Sequence, residues 1–262
     1  MSKSTRISAS EIACLRKIAQ ALKLHGLLKN WDALQQSDYA LLRTWLDWER
    51  HERQARGLTR RLSLAKLGEY KPLADFDWQW PKQCDKGAIS DLMGLEFVAE
   101  ATNVIFMGPN GIGKTMLALN IVHAAVLQGY TALCVSASKM LNDLAAQESD
   151  NALRRRLKYY AQPQLLLIDE VGYLSYSTRH ADLLFEVISR RYEVKATIVT
   201  TNKLFGEWNG VFPNAACVTS LVDRLVHHSE IIVLEGDSYR AKEAKAKAAS
   251  NKRRRKQTKP KP

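Results

Sequence analysis

Eight consecutive residues, Gly108, Pro109, Asn110, Gly111, Ile112, Gly113, Lys114 and Thr115, match the pattern G-x-x-x-x-G-K-[ST] at every fixed position. Such a loop suits a polyphosphate. Its glycines let the backbone wrap an anion and turn successive amides towards it. Lys114 is placed to reach β- and γ-phosphates, and the Thr115 hydroxyl to coordinate Mg2+. The alternative is a chance glycine-rich turn between a strand and a helix. The flanks argue against it, because an apolar strand precedes the loop and a helical pattern follows.

The run Leu165-Leu-Leu-Ile-Asp-Glu170 supplies a second element. An apolar strand buries its length and delivers two carboxylates at its C-terminal edge, where open parallel sheets bind ligands. Asp169 would hold Mg2+ through water, and Glu170 would act as general base on an attacking water. Read alone, the pair could equally be solvated acids in a turn. Thr200-Thr-Asn202 ends a further apolar run, and its amide could orient that water; an asparagine at a strand end is also ordinary turn chemistry. Arg224 lies on an expected helix. It could neutralise charge on a transferring phosphate, or pair locally with Asp223. His227 and His228 read as residues near a helix end, with no third ligand in sequence for a metal. Trp45, Trp48, Trp78 and Trp80 read as packing residues, with base stacking as the alternative. Arg154, Arg155, Arg156 and Lys158 read as a solvated helix face that could meet phosphates.

These groups need a scaffold, and the pattern of apolar residues describes one. From residue 103 onward, short apolar runs alternate with helical stretches: 104–107, 131–135, 165–168, 197–201 and 231–234 as strands, with helices at 115–128, 139–147, 181–192 and 219–227. That alternation implies a parallel sheet covered on both faces. The first hundred residues read as helical. Ser8 and Glu11 have capping-box spacing, and Ile12, Leu15, Ile18, Ala19 and Leu22 follow at helical intervals to a stop at Gly26. A second helix begins near Ser37 and presents Leu41, Leu42, Trp45 and Trp48. Gly68, Pro72 and Pro81 then break the pattern, and a short helix is expected over Ile89–Ala99. The resulting divisions are a helical domain at 1–67, a linker and docking segment at 68–100, the sheet domain at 101–240 and a basic disordered tail at 241–262.

Composition narrows the classes further. The chain has 262 residues, 46% hydrophobic and 25% charged, which excludes disorder throughout. Four dispersed cysteines without a Cys-x-x-Cys pair give no support to a zinc or redox site and suit a cytoplasmic protein. No apolar run reaches the roughly 18 residues of a membrane span, and the N-terminus lacks a signal-peptide core. The net charge of +12 is uneven: residues 1–100 carry +3, residues 101–240 zero and residues 241–262 +9. A basic excess outside a neutral centre points to nucleic acid or another anionic partner. Arg50, Arg53, Arg56, Arg60 and Arg61 form a stripe at three- or four-residue steps that could meet DNA phosphates without reading sequence.

Taken together, GPNGIGKT, LLLIDE, TTN, SLVDRL, FGEW at Phe205–Trp208 and GDSYR resemble the AAA+ ATPases of the IstB/DnaC group. KLHGLLKNWDAL and the arginines before the linker are similar to the IstB members, helper ATPases of bacterial insertion sequences. The resemblance spans about residues 20–240. It implies strand order 5-1-4-3-2, a truncated or absent helical lid, and ATP with Mg2+ bound at the interfaces of a homo-oligomer. It implies that Asn202 senses the γ-phosphate, that Arg224 acts on a neighbour's nucleotide, and that Arg240 is nucleotide- or interface-linked. The function implied is an ATP hydrolase that assembles on double-stranded target DNA and delivers it to the transposase of the same insertion sequence. The alternative within the group is a DnaC-like loader of a replicative helicase.

Overall fold

The computed structural model describes residues 7–173, 176–213, 215–245 and 247. It contains two compact units, Met1–Arg60 and Arg61–Pro262.

The first unit is helical. It contains α1 (Ala9–Ala21), α2 (His25–Lys29) and most of α3 (Asp38–Ala65). The expected capping box forms: the Ser8 amide donates to Glu11 Oε2 at 2.9 Å, and the Glu11 amide donates back to Ser8 Oγ at 3.3 Å. Leu15, Ala19 and Leu22 of α1 pack with Trp31, Tyr39, Leu42 and Leu46. Two expectations need correction. Gly26 does not stop α1; that helix ends at Ala21, Lys23 turns the chain with φ 53°, and Gly26 lies within α2. Trp45 and Trp48 are not core residues, being 54% and 66% exposed. The face of α3 turned to α1 carries Tyr39, Leu42 and Leu46, and the tryptophans lie round the helix from it.

The second unit holds α4 (Lys86–Leu92), α5 (Glu96–Ala99), β1 (Asn103–Met107), α6 (Lys114–Leu127), β2 (Ala132–Ser136), α7 (Ala137–Ala145), α8 (Asp150–Ala161) and β3 (Leu165–Val171). It continues with α9 (Thr178–Arg191), β4 (Ala196–Thr201), α10 (Trp208–Val211), α11 (Val218–Val226) and β5 (Ser229–Val233). The single helix expected over 89–99 is two, because Leu95 takes the left-handed conformation at φ 67° and interrupts it. The five strands form one sheet in the order β2-β3-β4-β1-β5. All four strand pairings are parallel. Read from the other edge, this is the 5-1-4-3-2 order expected. Every residue of β1 and β4 is buried, as continuous apolar strands between two helical layers must be.

Topology places the site. β4 inserts between β1 and β3, with Met107 opposite Thr201 and Ile168 opposite Val199. The C-terminal ends of these three strands therefore lie side by side at one edge. Two buried polar side chains secure the opposite edge. Asn103 donates to Leu225 O at 3.2 Å and accepts from the Thr197 amide at 3.1 Å. Arg191, 1% exposed, donates to the carbonyls of Ala161 at 3.1 Å and Pro163 at 2.8 Å, and also to that of Ala196. Burial pushes its guanidinium down to about 9, and these carbonyls take up its donors.

After β5 the chain returns across the sheet edge that carries the 108–115 loop. Glu235 and Gln83 form an antiparallel bridge, and the Tyr239 amide donates to Gly111 O at 2.9 Å. Residues 239–245 are helical. Among the described residues no further helical layer follows. Of the expected tail, residue 246 and residues 248–262 lie outside the described residues.

Candidate nucleotide site

The loop at 108–115 joins β1 to α6 as expected. Gly111 and Gly113 have φ of 77° and 116°, a region that favours glycine. They also sit under close neighbours. A Cβ on Gly111 would lie 2.2 Å from Ser238 Oγ, and one on Gly113 would lie 2.6 Å from the Phe76 ring. Two remote segments, around 76 and 238, thus rest directly on the loop. Neither approach is visible in the motif.

Lys114 is buried, and its Nζ donates to Gly108 O at 2.7 Å and Pro109 O at 2.9 Å. Burial pushes its pKa down to about 8, against the pull of Asp169 and Glu170 and with a further push from Arg240. In the free protein near pH 8, a good part of Lys114 is therefore neutral. A polyphosphate beside it favours the charged form, so binding should take up a proton. Calorimetry of ATP binding at pH 8 in buffers of different ionisation enthalpy should show net uptake; buffer-independent heat would contradict it.

Two threonine hydroxyls hold the Asp169 carboxylate and the backbone of Glu170 at the end of β3. Asp169 Oδ1 accepts from Thr115 Oγ1 at 2.9 Å and from Thr200 Oγ1 at 2.5 Å. Thr200 Oγ1 in turn accepts the Glu170 amide at 2.9 Å. Glu170 has φ 63°, where the pairing of β3 with β4 shifts between Ile168 and Val171. This irregularity turns Glu170 out of the strand alternation, a recurrent feature beside functional sites. Thr200 links the Asp169 carboxylate to the Glu170 backbone, a role whose one signal in the sequence is the TTN run.

A cavity of about 340 Å3 opens beside these groups, lined by Lys114, Thr115, Asp169 and Glu170. Its other walls come from far along the chain: Tyr70, Phe76 and Trp80 on one side, Tyr239 and Arg240 on the other. Asn120 of α6 fastens the first wall. Its Oδ1 accepts the Leu73 amide and its Nδ2 donates to Lys71 O, both at 2.9 Å. The two walls are joined by Trp80 Nε1 donating to Asp237 O at 2.8 Å and by Lys242 pairing with Asp77 at 3.1 Å. A hydroxyl and a carboxylate with adjoining space are the hard oxygen donors that Mg2+ prefers. The glycine backbone and buried lysine match the polyphosphate to which Mg2+ would be bound.

Asn202 follows β4, and its buried Oδ1 has no hydrogen-bond partner among the described residues. Arg224 is not among the residues lining the cavity. Its guanidinium carbon lies 4.5 Å over the Phe185 ring, and Nη1 donates to Ser189 Oγ. It is held against α9 rather than by Asp223. The arginine stripe is mostly paired along its own helix: Arg50 with Asp47 at 2.9 Å, Arg53 with Glu49, and Arg56 with Glu52 at 4.0 Å. Arg61 donates to Val126 O at 3.2 Å, and Arg60 has no ion pair among the described residues. Exposed pairs of this kind contribute little. Arg156 is not a free surface cation, since it bonds Asp143 and lies 4.4 Å over the Tyr159 ring.

The family model described as IstB-like ATP binding protein matches residues 17–248. The chain belongs to the IstB-like ATP-binding protein family. An insertion-sequence ATP-binding protein of Geobacillus stearothermophilus is 35% identical over 238 residues, 87% of this chain and 94% of that protein. An insertion-sequence counterpart from Pseudomonas aeruginosa is 36% identical over 198 residues, 76% of this chain and 75% of its own length. The crystal structure of DnaI matches 68% of this chain and 98% of its own, with a TM-score of 0.53 and 19% identity, a likeness of fold. The family makes this an ATP-binding protein, and its five-stranded parallel sheet is the fold it shares with DnaI. Among the described residues, no helix is long and apolar enough to cross a membrane.

Proposed function

We propose that this chain is an ATP hydrolase that assembles on double-stranded DNA and delivers target DNA to the transposase of its insertion sequence. The observation that carries the hydrolytic part is the run Thr115–Asp169–Thr200–Glu170 at the sheet edge beside the loop. It holds one carboxylate against the threonine of the loop and sets the next apart from it.

In this reading ATP lies with its phosphates in the loop formed by Gly108, Pro109, Asn110, Gly111, Ile112, Gly113, Lys114 and Thr115. Lys114 exchanges its two loop carbonyls for phosphate oxygens. Thr115 and Asp169 would hold Mg2+, which would offset the negative charge on the phosphates. Glu170 accepts a proton from the attacking water, and the Asn202 amide orients that water. Arg224 of one protomer stabilises the charge on a neighbour's γ-phosphate. The segment 68–100 serves as the docking wall of the site, with 1–67 as the helical domain, 101–240 as the ATPase domain and 241–262 as a basic tail.

DNA is gripped through its phosphates by Arg50, Arg53, Arg56, Arg60 and Arg61, without reading bases. The acidic partners of Arg50, Arg53 and Arg56 on α3 release them at small cost because the pairs are exposed. Duplex binding should be stimulated by ATP and indifferent to sequence. With four or five phosphates neutralised, affinity should fall about 150- to 500-fold between 50 and 200 mM salt. Filter binding or fluorescence anisotropy across a salt series tests this, and a flat response would remove the electrostatic grip.

A further inference from the structure

A second cluster of chemistry-bearing side chains lies at the N-terminal edge of the sheet, opposite the nucleotide loop. Glu193 follows α9 just before β4, and His227 and His228 form the turn between α11 and β5. Glu193 Oε1 is 3.3 Å from His228 Nε2 and 3.8 Å from His227 Nδ1. One ligand atom from each residue lies within 4.8 Å of the others. Glu193 reaches this position from a left-handed backbone, φ 57°, uncommon for a residue other than glycine.

We propose that Glu193, His227 and His228 form a surface site for a first-row transition-metal ion such as Zn2+. Two imidazoles and a carboxylate are a recurring three-ligand set for zinc that leaves a coordination position open. The imidazoles select Zn2+, Cu2+ or Ni2+ over Mg2+ and Ca2+, which prefer all-oxygen shells. Two rings whose centroids are 4.2 Å apart lie within 3.8 Å of the same carboxylate oxygen. A single metal ion can take both rings at once, each through one ring nitrogen. All three side chains are about half exposed, so small rotations can draw them to bonding distance. For His227 this replaces the 2.7 Å hydrogen bond between its Nδ1 and the Tyr192 hydroxyl.

The ion would tie the end of α9 to the end of α11. These helices already meet where Arg224 contacts Ser189 and Phe185. The site therefore braces the helix pair that carries Arg224, while the metal binding itself rests on no assumption about hydrolysis. The open position admits water or a side chain of another molecule.

The test is Zn2+ titration of the untagged full chain by calorimetry in excess Mg2+, with Co2+ absorption as a probe of coordination. One ion per chain is expected. Binding should weaken at least about tenfold in His228→Ala and in Glu193→Ala, and be lost in the double variant His227→Ala/His228→Ala. His25→Ala, remote in sequence from the cluster, should bind as the parent does. Unaltered ATP binding by the variants would show that the fold persists. Zn2+ affinity unchanged in the double variant, or no saturable binding by the parent, would overturn the proposal.

Discussion

Glu170→Gln should slow ATP turnover by about 10²- to 10⁴-fold, the usual range for removing a positioned general base. ATP binding should survive. The substitution keeps the size of the side chain and removes its capacity to accept a proton. It also leaves the local backbone in place, because the hydrogen bond to Thr200 Oγ1 comes from the Glu170 amide. Lys114, Thr115 and Asp169 keep their own contacts. If hydrolysis resets the assembly, the variant should accumulate on DNA with ATP as a long-lived complex. Steady-state phosphate release and the lifetime of the DNA complex measure the two halves. Turnover at the parent rate would remove Glu170 from its role, and a neighbouring acid would have to be sought.

Lys114→Ala should abolish useful nucleotide affinity. Truncating one member of a buried, hydrogen-bonded charge pair costs about 2–5 kcal/mol, roughly 30- to 4,000-fold in the dissociation constant. The effect on the nucleotide-free fold should be much smaller. Burial already disfavours the charged lysine, and its two partners are loop carbonyls rather than the core. Equilibrium binding of a fluorescent ATP analogue, paired with thermal unfolding without nucleotide, separates the two effects. Loss of binding with an unchanged unfolding midpoint is the expected pattern. Loss of both would instead make Lys114 a structural residue of the loop.

The two variants divide the proposed mechanism. Lys114→Ala blocks it before assembly, and Glu170→Gln blocks it afterwards. The salt series separates the grip on DNA from both.

Much of this architecture is legible in the sequence. The apolar runs ending at Met107, Ile168 and Thr201 each became strands, because continuous burial on both faces leaves few other conformations for short β-branched and leucine-rich segments. Ser8 and Glu11 announced α1 through a local hydrogen-bond exchange that depends on spacing alone. Helical spacing was less informative over Leu41, Trp45 and Trp48. Periodicity identifies a helix with an apolar side, but which side is buried depends on what packs there. The neighbour, α1, took Leu42 and Leu46 instead.

The sequence by itself determined the chemistry available: a phosphate loop, a lysine, a threonine, and two carboxylates at the end of one strand. These are local properties, set by residue type and backbone spacing. The tertiary structure alone decided what surrounds them. Insertion of β4 between β1 and β3 brings Thr200 to Asp169, and Asn120 pins the segment that lays Phe76 on Gly113. It also brings Glu193 to two histidines that had no third ligand in sequence. Contacts between residues tens of positions apart depend on strand order and on how closely packed segments approach. Neither is encoded in any one stretch of chain.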